Sequence, residues 1–239
     1  MWFRPEQSVT PTPAAFSRCG RTGFFLRCLA LSVSLFILAA TSVRSEYLLF
    51  DDSWQGLRFP MIKQNEFQLN GRSLGIESES SVSFVFKLLP QRLWNAQNAS
   101  WIWSVDQGVP PTDLTVKGGE DRNIVVYFLF LTAERARELT DPSPRALMND
   151  EDASLLAIVW GGEQERGEIF PSPFLEDRAS LVIARPAELG TYRETYQIAL
   201  QYVQAFGRAP ETLFAIGVGA DSDDTETVIR ARIEDFRLR

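Results

Sequence analysis

Apolar and polar positions alternate with a period of two over much of the chain. Ser81–Leu88 sets Val82, Phe84, Phe86 and Leu88 against Ser81, Ser83, Val85 and Lys87, the pattern of a half-buried strand. Ala99–Asp106 sets Trp101, Trp103 and Val105 against Ile102, Ser104 and Asp106. Asn123–Leu131 (NIVVYFLFL) is apolar on both faces and predicts a central strand. Leu155–Trp160 and Ala179–Ala184 are shorter runs of the same kind, and Thr212–Val218 and Ile229–Leu238 close the chain. Asn70-Gly71, Gly118-Gly119 and Gly161-Gly162 supply turns. Roughly nine or ten short strands at this spacing predict an all-β fold, a jelly-roll-like β-sandwich.

One stretch reads as helix. Thr191-x-x-Glu194 has the form of a capping box, and Tyr192, Tyr196, Ala199, Val203 and Phe206 then form an apolar stripe at spacings of three and four. Gly207 and Pro210 end it. The predicted architecture is therefore a sandwich with one main helix packed against it. Ala133–Leu139 suggests a second, short helix, and the Pro-containing acidic stretch Asp141–Asp152 reads as a surface loop.

Charge divides the chain in two. Residues 1–45 hold five Arg and one Glu, a net of +4, and the remainder holds 19 basic and 30 acidic residues, a net of −11. Arg18, Arg21 and Arg27 precede the apolar run Cys28–Ala40, and Val43-Arg44-Ser45 follows with small residues. A basic region, a short apolar run and a small-residue site are the layout of a secretory signal peptide. The run is too short for a membrane span of about 20 residues, so no span is expected after cleavage. Residues 1–45 are read as the signal peptide and 46–239 as one β-sandwich domain, periplasmic or secreted. The acidic body argues against nucleic acid as a partner.

Composition removes several chemistries. The chain has no His, which excludes Ser-His-Asp and Cys-His catalysis and every histidine-ligated metal site. Its two cysteines, Cys19 and Cys28, both lie in the leader. Three stretches concentrate the remaining functional groups. Trp101 and Trp103 share one strand face, which suits the core first and otherwise an apolar platform for a sugar ring, with Asp106 three residues beyond Trp103. Asp113–Arg122 gathers Lys117, Glu120, Asp121 and Arg122 around paired glycines at a strand end, where a polar ligand or a solvated hairpin would each fit. Asp221-Ser-Asp223-Asp224-Thr-Glu226 places four carboxylates in six residues. Asp221, Asp223 and Asp224 could ligate Ca²⁺, the one cofactor the sequence suggests, although the loop lacks the EF-hand glycine and glutamate; a solvated acidic turn is the alternative.

These stretches also carry a resemblance. Trp101-Ile-Trp103, Asp113-Leu-Thr-Val-Lys117-Gly-Gly-Glu-Asp121 and Val125-Val-Tyr127 follow one another as in domain-of-unknown-function family 3047, a family of secreted bacterial proteins. Val159-Trp160, Pro171-Ser-Pro173-Phe174, Ala205-Phe-Gly207 with Pro210, and Ala220-Asp-Ser-Asp-Asp-Thr225 continue the likeness. The chain resembles this family over roughly residues 80–238. Glu120 stands where the family tends to have Asp, and Asp224 where it tends to have Asn. The resemblance implies a secreted or periplasmic β-sandwich and no assigned activity.

Three functional readings follow. The favoured one is a non-catalytic binding module for a saccharide or other envelope ligand, with Trp101 and Trp103 stacking and Asp106, Lys117, Asp121 and Arg122 hydrogen-bonding hydroxyls. The second is a carboxylate-dependent glycan-active enzyme using acids such as Asp106, Asp121 and Asp223. The third is a structural or partner-binding envelope protein.

Overall fold

The computed structural model describes residues 45–239. The expected signal peptide lies outside the described residues except for Ser45. In chain order the first strands are β1 (Glu46–Tyr47), β2 (Gln55–Arg58), β3 (Glu66–Asn70), β4 (Ser73–Glu79), β5 (Val82–Leu88), β6 (Asn98–Gln107) and β7 (Arg122–Leu131). Two short helices follow, α1 (Ala133–Glu138) and α2 (Pro144–Asn149), and then β8 (Ser154–Trp160), β9 (Ile169–Ser172), β10 (Glu176–Arg185) and β11 (Gly190–Gln197). α3 (Ile198–Phe206), β12 (Thr212–Asp221) and β13 (Val228–Leu238) complete the chain.

The strands form two sheets, so the fold is the expected β-sandwich. One sheet has seven strands in the order β2-β5-β12-β7-β8-β10-β9, the other six in the order β11-β6-β13-β4-β3, with β1 also on β13. Strand pairs are antiparallel except β8 and β10, which run parallel. Asn70-Gly71 makes the predicted turn, joining β3 to β4 as a hairpin.

The two sheets bury different patterns. In the six-stranded sheet Leu74, Ile76 and Ser78 of β4 point inward and alternate with more exposed residues. The central strands of the seven-stranded sheet are buried on both faces. Ile124, Val126, Phe128 and Phe130 of β7 enter the core between the sheets, while Val125 and Leu129 join apolar clusters on its outer face. β5 follows suit, so the half-buried strand expected at 81–88 is corrected: Val82, Phe84 and Phe86 pack on the outer face and Val85 within. Every residue of β12 is buried.

Trp101 and Trp103 are both 0% exposed, in the core between the sheets. Trp101 stacks on Phe236 (5.3 Å between centroids, 3° between planes) and on Tyr196, and Trp103 packs on Trp160. Burying such rings contributes more to stability than any surface use of them, roughly 1.5–3 kcal/mol for each large side chain. The expectation of a sugar-stacking platform is corrected accordingly.

Two local expectations also change. Residues 190–197 are strand and not the first half of a helix: all of β11 pairs with β6, with Thr191 opposite Ser104 and Glu194 opposite Trp101. Thr191, Tyr192, Thr195 and Tyr196 are strand-favouring residue types, and the free edge of β6 completes their backbone hydrogen bonds. Helix begins only at Ile198 and ends, as expected, at Gly207. The stretch 141–152 is likewise not all loop. Ser143 caps α2 by accepting from the Ala146 N–H, and Pro144 occupies the first turn, where its missing N–H costs nothing.

Candidate functional site

The outer face of the seven-stranded sheet forms the floor of a cavity of about 400 Å³. Leu57 of β2, Val82 and Phe84 of β5, Tyr127 of β7, Leu155, Ala157 and Val159 of β8, and Ala179 and Leu181 of β10 line that floor. Walls rise from the segment after β2 (Phe59, Ile62), from α2 (Arg145, Met148, Asn149) and from the turn between β9 and β10 (Pro173, Phe174, Leu175). Outward residues of five strands thus make an apolar surface, aliphatic apart from Phe84 and Tyr127, that short segments cover only in part. The volume lies within the ~300–1,000 Å³ range of small-molecule sites.

One end of this cavity is charged. Glu120, Arg122, Asp221, Asp223 and Asp224 line it. Arg122 and Asp221 sit opposite each other where β7 begins and β12 ends, and their side chains pair at 3.3 Å. Arg122 also donates to the Tyr127 hydroxyl (3.0 Å) and to the Glu120 backbone carbonyl. Gly161 lies against this position: a Cβ there would stand 2.7 Å from the Arg122 Cα, so only glycine lets the chain pass so close.

The two loops at this end are tied together by Asp121, which is 0% exposed. Its carboxylate accepts from the Thr225 N–H (2.7 Å), the Thr225 hydroxyl (2.5 Å) and the Asp224 N–H (3.4 Å). The glycine pair before it has its own partner: the Glu120 carboxylate accepts from the Gly118 and Gly119 N–H groups, with Gly118 in the left-handed region at φ +86°. Asp113 holds the start of the same loop through the Thr115 N–H and hydroxyl and Gln164.

Asp221 is 4% exposed, and one of its carboxylate oxygens has no hydrogen-bond partner. Burial pushes its carboxyl up to about 9, against the pull of Arg122, and the neighbouring Asp223 and Asp121 add to the rise. The Asp224 carboxyl is also raised, by burial and by Glu120, Asp121 and Asp223. One oxygen from each of Asp121, Asp221 and Asp223 lies within 4.8 Å of the others. The metal set expected from sequence therefore changes in one member. Asp224 is exposed and outside this trio, while Asp121, read earlier as a ligand-binding group, takes its place.

The remaining expected residues divide. Arg122 and Asp121 reach the charged end, and Lys117 lies at the rim, with its ammonium 5.4 Å from the centre of the Phe174 ring. Asp106 is exposed near the end of β6, in the other sheet, and belongs to neither the trio nor the cavity lining. Sequence reasoning missed the aliphatic floor, Tyr127 and α2. The signal for the floor was present in the two-faced apolar run of β7, since an apolar outer face must be covered or occupied.

No curated protein matches the chain. Among solved structures it is similar to the xyloglucanase domain of NopAA, a type three effector from Sinorhizobium fredii, in complex with cellobiose, at 8% identity and a TM-score of 0.43, over 82% of this chain and 98% of that one. It is similar to a loop-swap mutant of Necallimastix patriciarum Xyn11A at 10% identity and a TM-score of 0.43, over 84% of this chain and 97% of that one. The K3 cleaved adhesin domain of Lys-gingipain from Porphyromonas gingivalis matches at 11% identity and a TM-score of 0.36, over 82% and 98%. Likeness at this level bears on neither activity nor ligand. The family comparison is of another kind, because one family model matches residues 52–237, which include the cavity's charged end. The chain belongs to the DUF3047 family, proteins of unknown function.

Proposed function

We propose that the protein is a non-catalytic binding module, acting outside the cytoplasm, for an amphipathic glycoconjugate of the cell envelope. Its apolar part would occupy the cavity and its hydroxyl-bearing head would meet Glu120, Arg122, Asp223 and Asp224. The supporting observation is the apolar cavity that ends on charged groups. A bare sugar would set its hydroxyls against Leu57, Leu155, Val159 and Leu181, and each unsatisfied polar group costs about 1–3 kcal/mol. A hydrocarbon suits that wall, and carboxylates and a guanidinium suit hydroxyls. The leader-like start of the chain supports the location.

Titration calorimetry with alkyl glycosides below their micelle concentrations tests this reading. Affinity should rise about fourfold per added methylene until the cavity is full, following ~0.8 kcal/mol per buried CH₂. Ala157→Phe, which fills the floor, should abolish the dependence on chain length. A free sugar that binds as tightly as its alkyl glycoside would overturn the proposal, as would no binding across the series. Mass spectrometry of the recovered ligand should show it unchanged, and a product would replace the non-catalytic reading with an enzymatic one.

A further inference from the structure

Asp121, Asp221 and Asp223 bring three carboxylates to one point, and two independent observations bear on what would sit there. The first is geometric: one oxygen from each lies within 4.8 Å of the others, a span that two Ca²⁺–oxygen bonds of about 2.4 Å can bridge. The second is an unmet need. Asp221 is buried, Arg122 engages one of its oxygens at 3.3 Å, and its other oxygen has no hydrogen-bond partner. A buried carboxylate oxygen left alone is costly, and a cation is one way to satisfy it.

The surroundings leave room for more positive charge. Glu120 and Asp224 stand beside the trio at the same end of the cavity, and Arg122 is the cation paired there. The donor set is all carboxylate, which selects a hard cation over zinc or copper. We propose that Asp121, Asp221 and Asp223 form a Ca²⁺ site at the charged end of the cavity. Asp121 bonds to the loop after β12, so the ion would also fasten that loop to the start of β7. Asp223 lines the cavity, so coordination positions left by the protein would face it and be filled by water. This inference does not depend on the glycoconjugate reading, and calcium binding without any ligand tests it alone.

The experiment is calorimetric titration of CaCl₂ into the full chain after removal of metals with a chelator. One ion per chain is expected, with a rise in melting temperature on addition of calcium. Asp223→Asn should weaken binding at least tenfold and Asp221→Asn should do the same, while Asp106→Asn, exposed in the other sheet and outside the cavity, should leave it within about twofold. Should Asp221→Asn fail to fold, the partly exposed Asp223 decides the matter. Absence of binding to the wild-type chain overturns the site, as does unchanged affinity in Asp223→Asn. Tighter binding of MgCl₂ than of CaCl₂ overturns the choice of ion.

Discussion

Two glycines in β12 make room for two rings. A Cβ on Gly217 would lie 2.4 Å from Phe86 Cε1, and one on Gly219 would lie 2.1 Å from Phe84 Cδ1 and 2.6 Å from the Ser83 carbonyl oxygen. The ring can swing aside, but the carbonyl belongs to the paired strand and cannot. Gly219→Ala should therefore destabilise the fold by about 1–3 kcal/mol, the usual cost of overpacking, and shift Phe84 on the cavity floor. The urea midpoint would show the first effect, and a loss of ligand affinity exceeding that of a distant variant of equal stability would show the second. Nothing in the sequence distinguished these glycines from turn residues, because the need for them arises in a neighbouring strand. The same limit governs Trp101 and Trp103. Alternation places them on one face, but which face meets the other sheet is settled by pairing with β11 and β13, far along the chain.

At the scale of elements, strands with strong two-residue or two-faced patterns were legible. β5, β6, β7, β8, β10, β12 and β13 all lie where the pattern predicts them. The turn β11 makes into α3 was not, because Tyr192 and Tyr196 are four apart and satisfy both periods. Glu194 is the residue that tells them apart. As a capping residue it would be exposed, whereas in β11 it is buried and accepts from Arg185 Nε at 2.8 Å and from Arg166 at 3.1 Å. Thr191→Ala should then change stability by less than about 0.5 kcal/mol, since Thr191 is exposed on an edge strand. Glu194→Ala should cost about 3 kcal/mol, because it removes the buried carboxylate from Arg185 Nε and leaves that largely buried guanidinium only its 3.4 Å ion-pair contact with Glu188. Paired urea denaturation curves check both, and equal costs would favour the helical reading. The charged end of the cavity was legible in part for a related reason. Its acids lie in two short motifs that sequence reading singled out, but only the folding of β7 against β12 joins Asp121 to Asp221 and Asp223.

The described residues form a sandwich in which the central strands of one sheet are buried on both sides, so some ionisable groups beside them are held away from water. Tyr127 on the outer face and Tyr196 beside the core are both raised above the usual phenol value. Burial is the main cause in each. Arg122 works against it at Tyr127; at Tyr196 the nearby Glu194 adds to it, and Arg166 and Arg185 oppose it. An unfolded chain gives up a phenol proton near pH 10, whereas the folded chain holds these two longer. Above about pH 10 unfolding therefore releases protons, and stability falls as pH rises, by up to about 1.4 kcal/mol per pH unit for each retained proton. Tyr196→Phe isolates one contribution, because it keeps the ring on Trp101 and removes the titrating group. Between pH 8 and pH 11 the variant should lose less stability than the wild-type chain in urea titrations. Parallel losses would show that the Tyr196 phenol ionises as freely in the fold as in the unfolded chain.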